Sequence, residues 1–121
     1  MDAEDIAAVA ITALTDAGHA GKVYEVSGPE AITFADAAAE LSRVAGRTIR
    51  HVDPGLETWR AGLIAAGVPG DYAALLTEVM AVIRQGGDEH VSDGVQRATG
   101  RAPISFPAWA ARDAAVLARA A

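Results

Sequence analysis

The stretch of residues 21–47 constrains the fold more than any other, because it contains in order the signals for a strand, a turn, a helix and a helix end. Residues 22–27, which run from Lys22 to Ser27, are rich in valine and tyrosine and favour an extended strand. Pro29 has no N–H to offer a neighbouring strand, so the strand is predicted to end before it. The chain is therefore predicted to enter its next element through a tight turn.

An amphipathic helix is predicted after this turn. Thr33 is placed to cap it, since its hydroxyl can accept a hydrogen bond from the N–H of Asp36, whose carboxylate suits the positive first turn of a helix. Apolar residues recur at helical spacing as far as Gly46, which is predicted to end the helix. Residues 48–53 then alternate in orientation and predict a second short strand.

Helical spacing of apolar residues continues in the rest of the chain. The N-terminal helix begins among acidic residues, and its predicted buried face includes Ile6 and Leu14. Two further helices are predicted after Gly55 and after Asp71, with Asp71 as the cap of the second. A short loop between these two helices predicts an antiparallel pair.

Two more helices complete the predicted set. Ser92 is the predicted cap of a short helix, and a last helix follows Ser105. A carboxylate on the apolar face of that last helix, Asp113, is expected to find an arginine, a helix N-terminus or water as its partner, and the alternative is that it points into a ligand cavity. The buried side of the last helix is predicted to consist of Phe106, Trp109, Ala110, Val116 and Leu117. These elements predict an α/β or α+β fold, mainly helical, with about five helices and two or three short strands in one domain over residues 1–121.

The composition excludes several classes of function. The formal net charge of -6 and the isoelectric point near 4.9 argue against a nucleic-acid partner, which requires a clustered basic surface. The chain has no cysteine, which excludes disulfides, thiolate nucleophiles and cysteine metal sites. No apolar run approaches the roughly 20 residues of a membrane span, so no membrane partner is expected and a cytoplasmic location is predicted.

Four short motifs occur in order along nearly the whole sequence. They are Asp5-Ile6-Ala7, the run from Tyr24 to Glu30, Gly46-Arg47 ahead of the run from Ile49 to Asp53, and the run from Thr99 to Pro103 ahead of Ser105-Phe106. In this order and spacing they resemble the C-terminal part of the NmrA-like proteins, which are atypical members of the short-chain dehydrogenase/reductase superfamily.

The resemblance implies a dinucleotide-binding Rossmann domain followed by a smaller substrate-covering lobe, and only the second part corresponds to this chain. NAD(P)H is implied only for a complete family member, and no cofactor is expected to bind this chain alone. The sequence has no Gly-rich turn between a strand and a helix to seat a pyrophosphate. The superfamily's Tyr and Lys pair is also missing, since Leu76 follows Tyr72 at the spacing where lysine would stand. No metal site is expected, because the acidic loop around His90 lacks the spacing of a ligand set.

Ligand-pocket candidates come from the predicted helix pair after Gly55. The resemblance implies that the corresponding helices cover the substrate and the nicotinamide end of the cofactor. The candidate pocket residues are Trp59, Leu63, Tyr72, Met80 and His51. The alternative interpretation of the four helical residues is a helix–helix core, because such stripes usually pack between helices. His51 shares one strand face with Asp53, which suggests either a structural hydrogen-bonded pair or a proton-handling dyad.

The favoured function is a small-molecule-binding lobe, non-catalytic on its own, that encloses a small and largely apolar ligand. One alternative is a fragment or subunit of an NAD(P)H-dependent oxidoreductase completed by a Rossmann partner, and another is a regulatory protein-interaction module. Because an isolated lobe would expose the edge of the strand at residues 22–27, a partner is predicted to cover that edge and the helix of Ile6. That partner is a second copy of the chain or a separate Rossmann-type chain.

Overall fold

A computed structural model gives the structure of the chain and describes residues 1–113. The predicted helical content is confirmed over this range, with six helices in place of about five. The helices are α1 (Ala3–Thr15), α2 (Phe34–Ala45), α3 (Leu56–Ala65), α4 (Gly70–Arg84), α5 (Gly94–Thr99) and α6 (Phe106–Arg112). The predicted buried residues Val116 and Leu117 lie outside the described residues.

The strand predicted over residues 22–27 is wrong, as no strand occurs within residues 1–113. Two hydrogen bonds from Ser92 to this segment take the place of hydrogen bonds to a neighbouring strand. The Ser92 hydroxyl donates to the carbonyl of Glu25 at 2.8 Å, and the Ser92 N–H donates to the Ser27 hydroxyl at 2.8 Å. Valine and tyrosine favour an extended strand, but a strand forms only where a second strand pairs with it.

The second predicted strand, over residues 48–53, is wrong for the same reason. The hydroxyl of Ser42 in α2 accepts from the N–H of Ile49 and donates to its carbonyl, both at 2.8 Å. The main chain at Ile49 is therefore satisfied by one side chain of the preceding helix and not by a ladder.

Packing divides the described residues into two compact units. The first unit contains residues 1–50 and 90–113, with helices α1, α2, α5 and α6, and the second contains residues 51–89, with helices α3 and α4. In the first unit α1 packs against α5 and α2 against α6, and in the second unit α3 packs against α4.

Small side chains dominate the interior of the first unit. Its buried apolar residues within the described range are Ala38, Val95, Ala98 and Ala110. Gly94 is also buried, and a Cβ on it would lie only 1.8 Å from the carbonyl oxygen of Glu25. The start of α5 therefore touches the main chain of the extended segment, which only a glycine permits.

The buried face of α1 differs from the predicted one. Ile6 and Leu14 are 51% and 86% exposed, whereas Asp5 is fully buried and Val9 is partly buried. The helix is turned so that its Asp5 side, and not its isoleucine side, faces the unit. This rotation leaves an exposed apolar surface on α1.

The helix ends of α2 confirm the sequence prediction. The Thr33 hydroxyl accepts from the N–H of Asp36, and the Asp36 carboxylate accepts in return from the N–H of Thr33. Gly46 ends the helix in the left-handed conformation, at φ 65°. This reciprocal arrangement is a capping box.

Two other predicted caps are wrong. Helix α4 begins at Gly70 with Pro69 at its N-cap, so Asp71 lies inside the first turn. Helix α5 has Asp93 at its N-cap and receives no side-chain cap, because the Ser92 hydroxyl is bonded to the extended segment.

Candidate functional site

The first unit contains a cavity of about 610 Å³. It is formed by the start of α1, the segment around Gly28 and the N-terminal part of α6, and its volume lies in the usual range for small-molecule sites. The residues that line it are Met1, Asp2, Ala3, Glu4, Gly28, Pro29, Glu30, Ile32, Ile104, Ser105, Phe106, Trp109 and Arg112.

One face of α6 forms an aromatic wall of this cavity. Phe106 and Trp109 are three residues apart on the helix, and their ring centroids lie 5.1 Å apart with the rings tilted by 42°. Ser105 caps the helix by accepting from the N–H of Ala108 at 3.2 Å, which fixes where the wall begins. The wall suits a flat apolar group.

Three carboxylates surround Arg112, the charged residue at the end of this wall. Its Nη2 lies 2.9 Å from Asp2 Oδ2 and 3.2 Å from Asp113 Oδ2, and its Nη1 lies 3.0 Å from Glu4 Oε2. Burial by itself lowers the pKa of Arg112, but the hydrogen bond to Asp113 and the charges of Asp2 and Glu4 outweigh it and raise the pKa. The arginine partner expected for Asp113 is thus confirmed.

Asp2 connects the cavity to helix α1. Its side chain is 3% exposed, and its Oδ1 caps the helix by accepting from the N–H of Glu4 at 2.9 Å. Its Oδ2 is buried and accepts no hydrogen bond within residues 1–113, although Arg112 stands beside it as an ionic partner. One oxygen of a buried carboxylate at this cavity therefore has its charge balanced but lacks a well-aligned donor.

A fully buried carboxylate, Asp5, holds the cavity wall at Ile104. It accepts from Arg101 Nη1 at 2.6 Å and from the N–H of Ile104 at 2.7 Å. Ile104 is a wall residue of the cavity, so Asp5 positions that wall from α1. The sequence analysis named the motifs of Asp5 and Arg101 separately and missed that the two residues bind each other. The available signal was that Asp5 lies four positions before the apolar Val9 and therefore shares its helix face.

The predicted pocket residues all lie in the second unit. Trp59 and Leu63 are on α3 and Met80 is on α4, each partly buried, while Tyr72 on α4 is 53% exposed and His51 is exposed. The packing of α3 on α4 brings the two helices of this prediction together. None of the five residues lines the cavity of the first unit. Their role as ligand contacts stays a prediction.

Asp53, considered as a partner of His51, is bonded elsewhere. Its Oδ2 lies 2.8 Å from Arg84 Nη2, and its Oδ1 accepts from the N–H of Gly55 at 2.9 Å. The carboxylate therefore joins the start of α3 to the end of α4.

Metal centres and membrane-spanning helices are absent from the described residues. Within residues 1–113, no group of three or more His, Cys, Asp or Glu side chains is arranged to hold a metal ion. None of the helices in the described part of the chain is long and apolar enough to cross a membrane.

The known proteins that the chain resembles are named as reductases and oxidoreductases. No protein-family model matches the sequence. The chain is 42% identical over 114 residues to a (4-alkanoyl-5-oxo-2,5-dihydrofuran-3-yl)methyl phosphate reductase of Streptomyces griseus, over 94% of this chain and 40% of that protein. It is 39% identical over 115 residues to an NAD(P)H azoreductase of Xenophilus azovorans, over 95% of this chain and 40% of that protein. The chain thus spans about 40% of the length of the curated relatives it matches.

A solved structure shows the same arrangement of elements. The NADPH-dependent quinone oxidoreductase of Escherichia coli superposes with a TM-score of 0.74 at 28% identity, over 89% of this chain and 39% of that one. The matched region is the C-terminal part of these oxidoreductases.

Proposed function

Because the chain corresponds to the C-terminal part of the NmrA-like proteins, atypical members of the short-chain dehydrogenase/reductase superfamily, we propose that it is the substrate-binding lobe of an NAD(P)H-dependent oxidoreductase. One observation carries the proposal: relatives named as reductases and oxidoreductases match nearly all of this chain with about 40% of their own length. The lobe is non-catalytic by itself and contributes substrate contacts.

The described residues do not fit a dinucleotide. A pyrophosphate site needs the free N-terminus of a helix that follows a strand and a Gly-rich turn. Within residues 1–113 no helix follows a strand, so none has this arrangement, although the N-termini of α3, α4 and α5 carry no side-chain cap. In this proposal the cofactor belongs to a separate dinucleotide-binding domain.

The cavity of the first unit is the proposed place for the substrate body. Its apolar wall residues Ile32, Ile104, Phe106 and Trp109 suit a small, largely apolar molecule. Burying such a molecule gains roughly 25 cal/mol for each Å² of apolar surface removed from water. As a separate proposal, the residues first predicted from the sequence form ligand contacts within the second unit. They are Trp59, Leu63, Tyr72, Met80 and His51.

Exposed apolar residues of the first unit support the proposal of a protein partner. On α1, Ile6, Ile11 and Leu14 are 51%, 61% and 86% exposed, and Val23 in the extended segment is 84% exposed. We refer to the three α1 side chains as the α1 surface. We propose that a dinucleotide-binding chain or a second copy of this chain covers the α1 surface and residues 22–27, because exposed apolar surface of this kind marks interaction sites.

A chimera tests the proposed function. The part of the Xenophilus azovorans azoreductase that precedes the matched region is fused to this chain, and NADPH oxidation is followed with an azo dye or a quinone as acceptor. We expect acceptor-dependent oxidation by the chimera and none by either part alone.

Two results would count against the proposal. The first is a folded chimera that binds NADPH tightly but reduces neither acceptor. The second is NADPH oxidation by this chain alone, which would show that a catalytic site lies within it. The folded state of the chimera is checked by its thermal unfolding with and without NADPH, since a bound cofactor raises the unfolding temperature.

A further inference from the structure

We infer that the cavity of the first unit selects aromatic ligands that carry a protonated amine and rejects aromatic ligands that carry a carboxylate. The inference rests on the proposed function in treating this cavity as the substrate site, and it adds the chemical class of the substrate. Binding is measured without cofactor, so the two ideas can fail separately.

The charges that line the cavity are mostly negative. Asp2, Glu4 and Glu30 supply three carboxylates, against the guanidinium of Arg112 and the α-amino group of Met1, which also lines the cavity. Apolar walls strengthen the electrostatic interaction of these charges with a ligand charge, because the local dielectric constant is lower than that of water. A ligand cation is therefore attracted and a ligand anion repelled.

Arg112 cannot serve as an anion site in this arrangement. Its two terminal nitrogens already face Asp2, Glu4 and Asp113 at 2.9 to 3.2 Å. An incoming carboxylate would have to displace one of these partners and would then stand close to the other two. The new ion pair with Arg112 would only replace the one that was lost. The ligand carboxylate would in addition be repelled by the remaining carboxylates, so its binding is unfavourable.

Glu30 is the carboxylate with capacity left for a cation, because Asp2 Oδ2 is already paired with Arg112 at 2.9 Å. Glu30 is exposed at the cavity and forms no ion pair with any residue in the range 1–113, and the buried Asp2 Oδ2 accepts no hydrogen bond there. Glu30 is the group that can meet a ligand amine without any rearrangement. The negative potential of Asp2 and Glu4 adds to the attraction.

The aromatic wall supplies the other half of the recognition. Phe106 and Trp109 can pack against a ring, and the face of Trp109 can also attract a cation. An arylalkyl amine combines both groups on a short linker. This is the ligand class that the lining residues complement.

The test uses two arylalkyl probes of opposite charge, phenethylamine and 3-phenylpropionate at pH 7. The indole N–H signal of Trp109, which lines this cavity, is followed by NMR during titration, and the indole N–H signal of Trp59 reports separately on the second unit. We expect phenethylamine to shift the Trp109 signal saturably with at least fivefold tighter binding than 3-phenylpropionate.

A matched pair of variants identifies the carboxylate. Glu30→Gln removes a charge at the cavity, whereas Glu78→Gln removes an exposed charge on α4 that does not line it. Glu30→Gln is expected to reduce the preference for the amine at least threefold, and Glu78→Gln to leave it unchanged. Raising the salt concentration should weaken binding of the amine, because salt screens exposed charges.

Several outcomes overturn the inference. They are equal or tighter binding of 3-phenylpropionate, a shift of the Trp59 signal with none of the Trp109 signal, and an equal effect of the two variants. If the amine binds selectively while the azoreductase chimera is inactive, the oxidoreductase proposal fails and the ligand class stands. If the chimera is active and its cavity prefers the anion, the ligand class fails and the proposed function stands.

Discussion

Single residues in the first unit decide how distant segments meet. Asp5 is fully buried and joins α1 to the chain before α6 through Arg101 and the N–H of Ile104. A buried carboxylate of this kind is tolerated because both of its oxygens are bonded and its charge is paired. Its removal leaves a buried N–H without an acceptor and an arginine without its partner.

Asp5→Ala is therefore expected to lower the free energy of unfolding by about 3 kcal/mol, the size typical of a broken buried pair. Urea unfolding followed by circular dichroism measures this change. Glu4→Ala is the matched control, because Glu4 is the neighbouring acid, is 65% exposed and pairs with Arg112 at the surface. It should cost at most about 1 kcal/mol. Equal losses for the two variants would contradict the structural role assigned to Asp5.

Gly94 sets the approach of α5 to the extended segment. Gly94→Ala would bring a Cβ to 1.8 Å from the carbonyl oxygen of Glu25, so the main chain must move. We expect a loss of about 1–3 kcal/mol in the free energy of unfolding, as for other overpacked sites.

Gly62 offers the matched control for this substitution. It lies inside α3, does not adopt a positive φ, and has open space within 4 Å of the position that an alanine methyl group would take. Gly62→Ala is expected to stabilise the chain by roughly 0.5–1 kcal/mol, because alanine loses less conformational entropy in a helix. A destabilising Gly62→Ala beside a neutral Gly94→Ala would reverse the expected order and refute the close approach.

At the scale of the elements, α2 shows how local chemistry fixes both ends of a helix. Hydrogen bonds from the side chain and the N–H of Thr33 lower the pKa of Asp36 below its ordinary value of 3.8. The charged form of Asp36 therefore stabilises the folded chain above that value. This contribution is lost as the pH falls through the lower pKa of the folded state.

Thr33→Ala is expected to raise the pKa of Asp36 toward its ordinary value, since the largest cause of the shift is removed. A carboxyl-carbon NMR titration of Asp36 measures it directly. Thr33→Ser keeps the hydroxyl and should keep the pKa low. If the serine and alanine variants titrate alike, the cap does not cause the shift.

At the scale of the whole molecule, apolar surface stays exposed that the helices of residues 1–113 do not cover. The α1 surface consists of Ile6, Ile11 and Leu14, Val23 is exposed in the extended segment, and helix α4 in the second unit exposes Tyr72, Leu75, Val79 and Val82. The α1 surface belongs to the unit whose extended segment was predicted to pair with a partner. It is the surface that we propose a partner protein covers.

Leu14→Lys tests that proposal, because a charge in an apolar interface is costly whereas a lysine near the end of a free helix is tolerated. Light scattering at high micromolar concentration is measured for the chain alone and mixed with the dinucleotide-binding part of the azoreductase. We expect the wild type to form a dimer or a complex and Leu14→Lys to abolish it. Val79→Lys on α4 is the control and should leave association intact.

A monodisperse wild-type monomer that also ignores the azoreductase part would refute the partner proposal. If only Val79→Lys lost association, the interface would have to lie on α4 and not on the α1 surface. Thermal unfolding of both variants should remain within a few degrees of the wild type, since Leu14 is 86% exposed and Val79 is 48% exposed.

Local sequence signals determined where the helices lie and how α2 is capped. A cap or a helical stripe acts over three or four residues, so Thr33, Asp36 and Gly46 could be interpreted without knowledge of the fold. The ordered motifs likewise identified the C-terminal part of the NmrA-like proteins, which the relatives confirm.

Only the tertiary structure showed that the two predicted strands do not form, which face of α1 is buried and where the cavity lies. Strand residues need a partner strand, and in this chain Ser42 and Ser92 bind the two segments instead. Asp5 and Arg101 meet across 96 positions of sequence, a contact that turns α1 and places the wall of the cavity. Such contacts depend on how helices pack, and no pattern within a few residues contains that information.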